Sequence, residues 1–344
     1  MAQVGETGVS ELSIAVMGAG RIGALHTELL QQRVEGARVT AVYDVFAESA
    51  CSVGSRFGVP VAGSPEAIFD DPSVDAVAIC TSTDTHVEVM IEAARAGKAI
   101  FCEKPISLDL DQVDRALAAV ARAGVYLQVG FNRRFDPSHA AVRDAVASGR
   151  IGDVHLVRIT SRDPEPPPIP YVKVSGGIFL DMTIHDFDMA RFVTGSDVTE
   201  VYAKGDVLVD PDIGAAGDLD TAVIMLTHEN RAITTIDNSR RAVYGYDQRV
   251  EAFGSGGMAT SANPLDTTTV VHDASGGHGS PLPYFFTERY IPSYLAEWQA
   301  FVDAVREGAP SPVDGMDGRA PLVIGLAAWK SIREQRPVLT SEFG

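Results

Sequence analysis

The chain has 344 residues, 45% hydrophobic and 22% charged, which excludes global disorder and makes it too long for one small core. Its 28 basic and 46 acidic residues give a net charge of −18. Such a surface disfavours phosphate backbones and anionic membranes, and Arg133-Arg134 and Arg240-Arg241 are pairs and not a basic stripe, so neither nucleic acid nor membrane is an expected partner.

Residues 1–11 read as a polar, flexible tail. From 12 to 132 short apolar runs alternate with helical stretches, the pattern of parallel strands joined by crossover helices. Strands are expected at 14–17, 39–44, 76–80, 99–102 and 126–130, and helices at 23–32, 47–57, 86–96 and 110–123. The first strand runs into Gly18-Ala19-Gly20-Arg21-Ile22-Gly23, and Asp44 ends the next apolar run. Gly18 permits a tight turn, Gly20 lets backbone approach a pyrophosphate, and Gly23 lets helix and sheet pack closely. A pyrophosphate then rests on the positive end of the helix, while the Asp44 carboxylate accepts from ribose hydroxyls and repels a 2′-phosphate. The cofactor this layout suits is NAD in preference to NADP; a capping or solvated aspartate is the plainer alternative for Asp44. Ligands in such sheets bind beyond the carboxyl ends of the strands, which directs attention to Thr81, Ser82, His86, Glu103 and Lys104, and to 131–134.

Past Arg134 the texture changes. The proline-rich 163–170 stretch cannot be a central strand and reads as a stiff extended connection. Beyond it come Gly176-Gly177, an amphipathic helix over 182–193, β-rich runs at 198–204, 221–227, 232–238 and 249–253, and helices at 290–307 and 321–335. Consecutive strands with few helices between them suggest an α+β domain on a mostly antiparallel sheet. The expected division is therefore 12–132 for the dinucleotide domain and 133–344 for a second domain, with helix 321–335 able to pack back on the first. The 207–220 stretch reads as a variable loop of unassigned role.

Lys104 follows a buried strand at the rim that carries the glycine turn, where an ammonium can bond a substrate hydroxyl and stabilise charge on its oxygen; a salt bridge to Glu103 is the equal alternative. Asp181 and His185 are four apart, on one face of the expected helix, as a general base and its carboxylate would be; helix capping by Asp181 beside an interfacial histidine competes with that reading. Asp181, His185, Asp186 and Asp188 offer metal donors, but no HExxH or paired-cysteine spacing supports a metal, and none is expected. Cys51, Cys80 and Cys102 lack C-x-x-C spacing and read as small hydrophobes; with no early basic-apolar segment, the chain is expected in the cytoplasm.

Together, the 18–23 glycine turn, Thr81-Ser82-Thr83-Asp84-Thr85-His86, Glu103-Lys104-Pro105 and the stretch from Gly177 to His185 resemble the Gfo/Idh/MocA oxidoreductase family, in order and over nearly the whole chain. The resemblance implies a Rossmann domain followed by an α/β domain with a large open sheet, substrate binding and oligomerisation by 133–344, a homotetramer formed through that sheet, and a catalytic set of Lys104, Asp181 and His185. The 130–136, 161–164, 181–189 and 238–249 stretches look like the inositol-oxidising bacterial members. That likeness implies NAD-dependent oxidation of myo-inositol to 2-keto-myo-inositol, with Arg134 and Tyr244 as substrate contacts; either could equally be a domain-interface residue. Another cyclitol or an aldose is the nearest alternative substrate, and a cofactor-sensing regulator the alternative class.

Overall fold

The computed structural model describes residues 11–344, so the expected tail lies, except for Glu11, outside the described residues. Two compact units form: one runs to Gly130 and takes in Tyr294–Gly318, the other comprises Phe131–Ser293 and Arg319–Gly344.

The first unit is built on β1 (Leu12–Met17), β2 (Ala37–Tyr43), β3 (Ala76–Ile79), β4 (Ala99–Glu103) and β5 (Leu127–Gly130), all parallel in the order β2-β1-β3-β4-β5. Every strand but β2 is buried along its length, which is why these segments read as unbroken apolar runs without alternation. Helices Arg21–Gln32, Ala47–Phe57, Thr83–Arg95 and Leu110–Ala123 connect them as expected, the third opening at Thr83 and not at 86 because only the residue before it, Ser82, is extended. A short helix, Pro65–Phe69, was not expected, although Ser64 capping the Ala67 N–H at 3.3 Å and proline in the first turn are a recognisable start signal. The chain leaves β1 toward β2 on one side and β3 on the other, so the glycine turn opens at the switch point where open α/β sheets take ligands.

The linear division at 132 needs correction. Trp298, Phe301 and Val302, on the helix Ile291–Glu307, are fully buried with Ile14, Val16 and Phe101 in the core of the first unit. The Trp298 ring stacks on Phe101 with centroids 4.1 Å apart, and Phe301 meets Phe101 edge-on at 5.9 Å. These rings draw 294–318 into the dinucleotide unit, whereas Ile324, Ala327 and Ala328 join the core of the second.

The second unit carries β6 (Val154–Arg162), β7 (Val198–Asp206), β8 (Thr221–His228), β9 (Ile233–Ser239), β10 (Asp247–Gly254), β11 (Gly257–Ser261), a hairpin of β12 (Val271–Asp273) and β13 (Gly276–His278), and β14 (Val338–Leu339). Seven of these form one sheet in the order β11-β10-β6-β9-β8-β7-β14, in which β6 and β9 are parallel and all other pairs antiparallel. The central strand β6 is not apparent in the sequence because His155, Leu156 and Arg158 lie on its exposed positions and blur the alternation; it stops at Arg162, before the prolines. One sheet face is covered, with Val157, Ile159, Ile224 and Ile236 packed against helix residues Val142, Phe187 and Val193. On the other face Met258, Phe253, Leu156 and Ile233 stand opposite one another across four strands, 37–56% exposed. Among the described residues, no helix is long and apolar enough to cross a membrane.

Because Phe301 is completely buried among aromatic rings, Phe301→Ala is expected to destabilise the first unit by about 3–5 kcal/mol. A denaturant titration followed by tryptophan fluorescence checks this; an unchanged midpoint would refute the packing role.

Candidate active site

Gly18 has φ +99°, and a Cβ there would lie 2.4 Å from the Cys80 carbonyl oxygen. A Cβ on Gly23 would lie 1.8 Å from the Gly18 carbonyl oxygen, so both glycines are demanded by the chain's own packing. Gly20 differs: it is exposed, its φ is an ordinary −71°, and nothing lies within 4 Å of a Cβ built on it. The open space beside Gly20 is the approach a pyrophosphate needs, and the helix starting at Arg21 has neither a side-chain cap nor an acidic residue in its first turn. A cleft of about 440 Å³ adjoins this turn, lined by Ala19, Gly20, Arg21 and Ala24 and by side chains of the helix Ala47–Phe57. Half-buried Asp44 accepts from the Ala19 N–H at 2.6 Å and the Phe46 N–H at 2.8 Å, bracing the turn at the edge where a ribose would lie. Ile22 is half-buried in the first helical turn. These residues fit NAD, with the helix N-terminus for the pyrophosphate and Asp44 for the adenosine ribose.

The rim after β3 and β4 is tied together. Thr85 Oγ1 lies 2.7 Å from Thr81 Oγ1, and Ser82 is exposed. His86 is buried, with Nδ1 2.9 Å from the Pro105 carbonyl oxygen and Nε2 3.1 Å from that of Thr81. Two carbonyls would suit an imidazolium, but burial pushes the His86 pKa down, and a neutral ring donates to one of them at a time. Both ring nitrogens thus face carbonyl oxygens of two loops. Glu103 Oε1 lies 2.6 Å from buried His26 Nε2, so that oxygen too faces protein. Lys104 is half-buried, and its peptide bond to Pro105 is cis.

In the second unit, Asp181 ends the short helix Gly177–Asp181, and a new helix, Ile184–Thr194, begins after Thr183, whose carbonyl accepts from the N–H groups of Asp186 at 2.8 Å and Phe187 at 2.9 Å. The expected single helical face through Asp181 and His185 is therefore replaced by two helices meeting at Met182-Thr183. Gly176 and Gly177 at φ +86° and +77° set the first of them, and a Cβ on Gly177 would lie 2.5 Å from Asp218 Oδ1. Asp181 accepts from the Tyr171 hydroxyl at 2.8 Å and lies 3.7 Å from Arg240. His185 is half-buried, with the Phe131 ring edge-on at 6.0 Å. Arg134 holds Asp188 through Nε, at 3.0 and 2.9 Å, and through Nη2, at 2.5 Å. The Tyr244 hydroxyl donates to Asp247 at 2.8 Å and accepts from Arg162 at 3.1 Å.

The structure adds a buried network in which Arg133, Tyr246, Asn238, Arg240 and Asp218 carry no assignment from sequence. Arg133 donates to Asp186 at 2.8 Å and to the Tyr246 hydroxyl at 3.3 Å; Asn238 donates to the other Asp186 oxygen at 2.8 Å and accepts from the Thr183 hydroxyl at 2.7 Å. Burial pushes the Asp186 pKa up to about 6, with Arg133 pulling it back. Fully buried Arg240 bridges toward Asp218 at 3.3 Å as well as Asp181, and Asp218 accepts the Ile178 N–H at 2.9 Å, giving the 207–220 loop a supporting role. The signal available in the sequence was the two arginine pairs, each of which places a guanidinium on a buried carboxylate. Among the described residues no group of three or more His, Cys, Asp or Glu side chains is placed to hold a metal ion.

A parallel five-stranded sheet with a dinucleotide turn, followed by a mixed seven-stranded sheet, defines a two-domain nicotinamide-cofactor oxidoreductase. Residues 12–131 match the oxidoreductase family with the NAD-binding Rossmann fold, and residues 139–260 match the GFO/IDH/MocA C-terminal domain. The chain belongs to the Gfo/Idh/MocA oxidoreductase family. It is similar to myo-inositol 2-dehydrogenase of Thermotoga maritima, with 50% identity over 96% of this chain and 99% of that protein. It is 35% identical to scyllo-inositol 2-dehydrogenase (NAD(+)) of Bacillus subtilis, over 95% of this chain and 96% of that one. The crystal structure of a myo-inositol dehydrogenase from Corynebacterium glutamicum superposes with a TM-score of 0.92 at 37% identity, covering 96% of this chain and 98% of that one.

Gly20→Ala is expected to leave the melting temperature unchanged while weakening NADH binding at least ~10-fold, because only a ligand needs that space. Gly23→Ala loses the fold instead; paired thermal melts and NADH fluorescence titrations separate the two. For Asp186, a folded-state pKa near 6 against 3.8 means the native chain holds a proton that the unfolded chain releases, so its contribution is full below pH ~4 and is lost as pH rises through about 6. Asp186→Asn lacks that slope, so its stability relative to the parent should improve by roughly 2–3 kcal/mol between those limits. Parallel denaturation curves for parent and variant would refute it.

Proposed function

We propose that the chain oxidises myo-inositol to 2-keto-myo-inositol with NAD⁺, releasing NADH and a proton. The observation that carries this reading is the 50% identity, over almost the entire length, to a protein named for that activity. NAD, when bound at the glycine turn, supplies the hydride acceptor. Lys104 donates a hydrogen bond to the reacting hydroxyl and stabilises the negative charge that develops on its oxygen as hydride leaves the carbon. His185 accepts the hydroxyl proton, and Asp181, itself fixed by Tyr171 and Arg240, supports the charged imidazole. Tyr244, on an exposed loop, is kept as a substrate contact, while Arg134, given over to Asp188, is read as the anchor of its helix. Oxidation of scyllo-inositol is the second reading, favoured by the 35% identity noted above. Assembly as a homotetramer through the open face of the seven-stranded sheet is supported by its in-register apolar row, and residence in the cytoplasm by the scattered, unpaired cysteines.

The test is NADH appearance on addition of inositol isomers and hexoses to the purified protein. Myo-inositol is expected to give the highest kcat/KM, scyllo-inositol at least ~10-fold less, because a buried site that pairs one hydroxyl leaves its own groups unpaired with an isomer. No turnover with any inositol sinks the proposal. Lys104→Ala is expected to lower kcat by about 10²-fold or more with NADH affinity within ~2-fold of the parent.

A further inference from the structure

The hydrogen bonds behind the Glu103-Lys104-Pro105 turn fix one another's direction. An indole N–H can only donate, so Trp298 Nε1, 2.8 Å from His26 Nδ1, leaves that nitrogen a lone pair. The ring proton therefore sits on Nε2 and is donated to Glu103 Oε1 at 2.6 Å. His26 is fully buried, with Phe101, Tyr294 and Trp298 edge-on around it at 5.4–5.5 Å. Gly130 leaves room for the carboxylate, since a Cβ there would stand 3.2 Å from Glu103 Cδ. Directly after Lys104, the Pro105 carbonyl is held by His86, only 2% exposed. Neither histidine has the accessible surface to touch a substrate.

We propose that His26, oriented by Trp298, is a positioning residue for Lys104, securing the Glu103 side chain directly before it. This rests on the role given to Lys104 above. An ammonium that stabilises developing charge is effective only if its position is set in advance, and a misplacement of about 1 Å costs up to ~10²-fold in rate.

The test compares His26→Phe, His26→Gln, Trp298→Phe and Lys104→Met in the full chain. His26→Phe is expected to lower kcat ~10- to 100-fold, with the NADH dissociation constant, read from its fluorescence, within ~2-fold of the parent. The primary deuterium isotope effect on kcat, with myo-inositol deuterated at the reacting carbon, should rise toward that of Lys104→Met. His26→Gln, whose amide N–H can replace the donor to Glu103, should recover part of the rate. Trp298→Phe keeps an aromatic ring in the core but removes the orienting donor together with part of the indole, so, where it folds by circular dichroism, it carries the test if His26→Phe does not. Folded variants with unchanged kcat and isotope effect, or with the loss confined to NADH affinity, overturn the proposal while Lys104→Met keeps its lowered kcat. Full turnover by Lys104→Met sinks the Lys104 assignment, and this proposal with it.

Discussion

Backbone lies directly on backbone where β1 turns into its helix. The carbonyl of Gly18 fills the space a Cβ of residue 23 would need, and the carbonyl of Cys80 fills that of residue 18. Three chain segments are thereby held at van der Waals contact with no side chain between them. The N-terminal end of the helix, the Asp44 carboxylate and the Thr81-Ser82 loop can then gather at one edge of the sheet. Any larger residue at 18 or 23 pushes these apart, so the geometry of the cofactor edge is set by two missing methyl groups before any specific contact is considered.

The second unit solves a different problem. Its interior holds Arg133, Asp186, Asn238 and Arg240, polar groups whose burial is costly unless each finds a partner. Pairing them across sheet strands and helices makes the network rigid as a whole, since moving one member strands the others. Asp181 and His185 stand on the ends of two short helices whose starts are held by Asp218 and Thr183, so the chemistry proposed for them inherits the rigidity of that interior.

Much of the first unit is legible in the sequence because its strands are buried on both faces and leave continuous apolar runs, and because Gly18, Gly20, Gly23 and Asp44 obey a local geometric rule. The role of Trp298 is not legible, since an aromatic residue on an amphipathic helix says nothing of which core it enters. The strand β6 is hidden by a solvent face carrying His155 and Arg158. The break between Asp181 and His185 escapes a periodicity argument because both halves remain helical; the Thr183 N–H and hydroxyl turning back to the Ile178 carbonyl, and the hydroxyl reaching Asn238, mark the bend. Arg133 and Arg134 are visible as a pair, but their separate carboxylates, Asp186 and Asp188, are more than fifty positions away.

The path of the chain has a consequence for biosynthesis. The nascent polypeptide completes all five parallel strands by Gly130, yet the indole and phenyl rings that close their hydrophobic interior emerge from the ribosome only after the other unit has been almost wholly made. Between the synthesis of Gly130 and that of Trp298, the apolar flank of these strands lacks the rings that cover it. Completion of the nucleotide half is thus coupled to the synthesis of nearly everything that follows it.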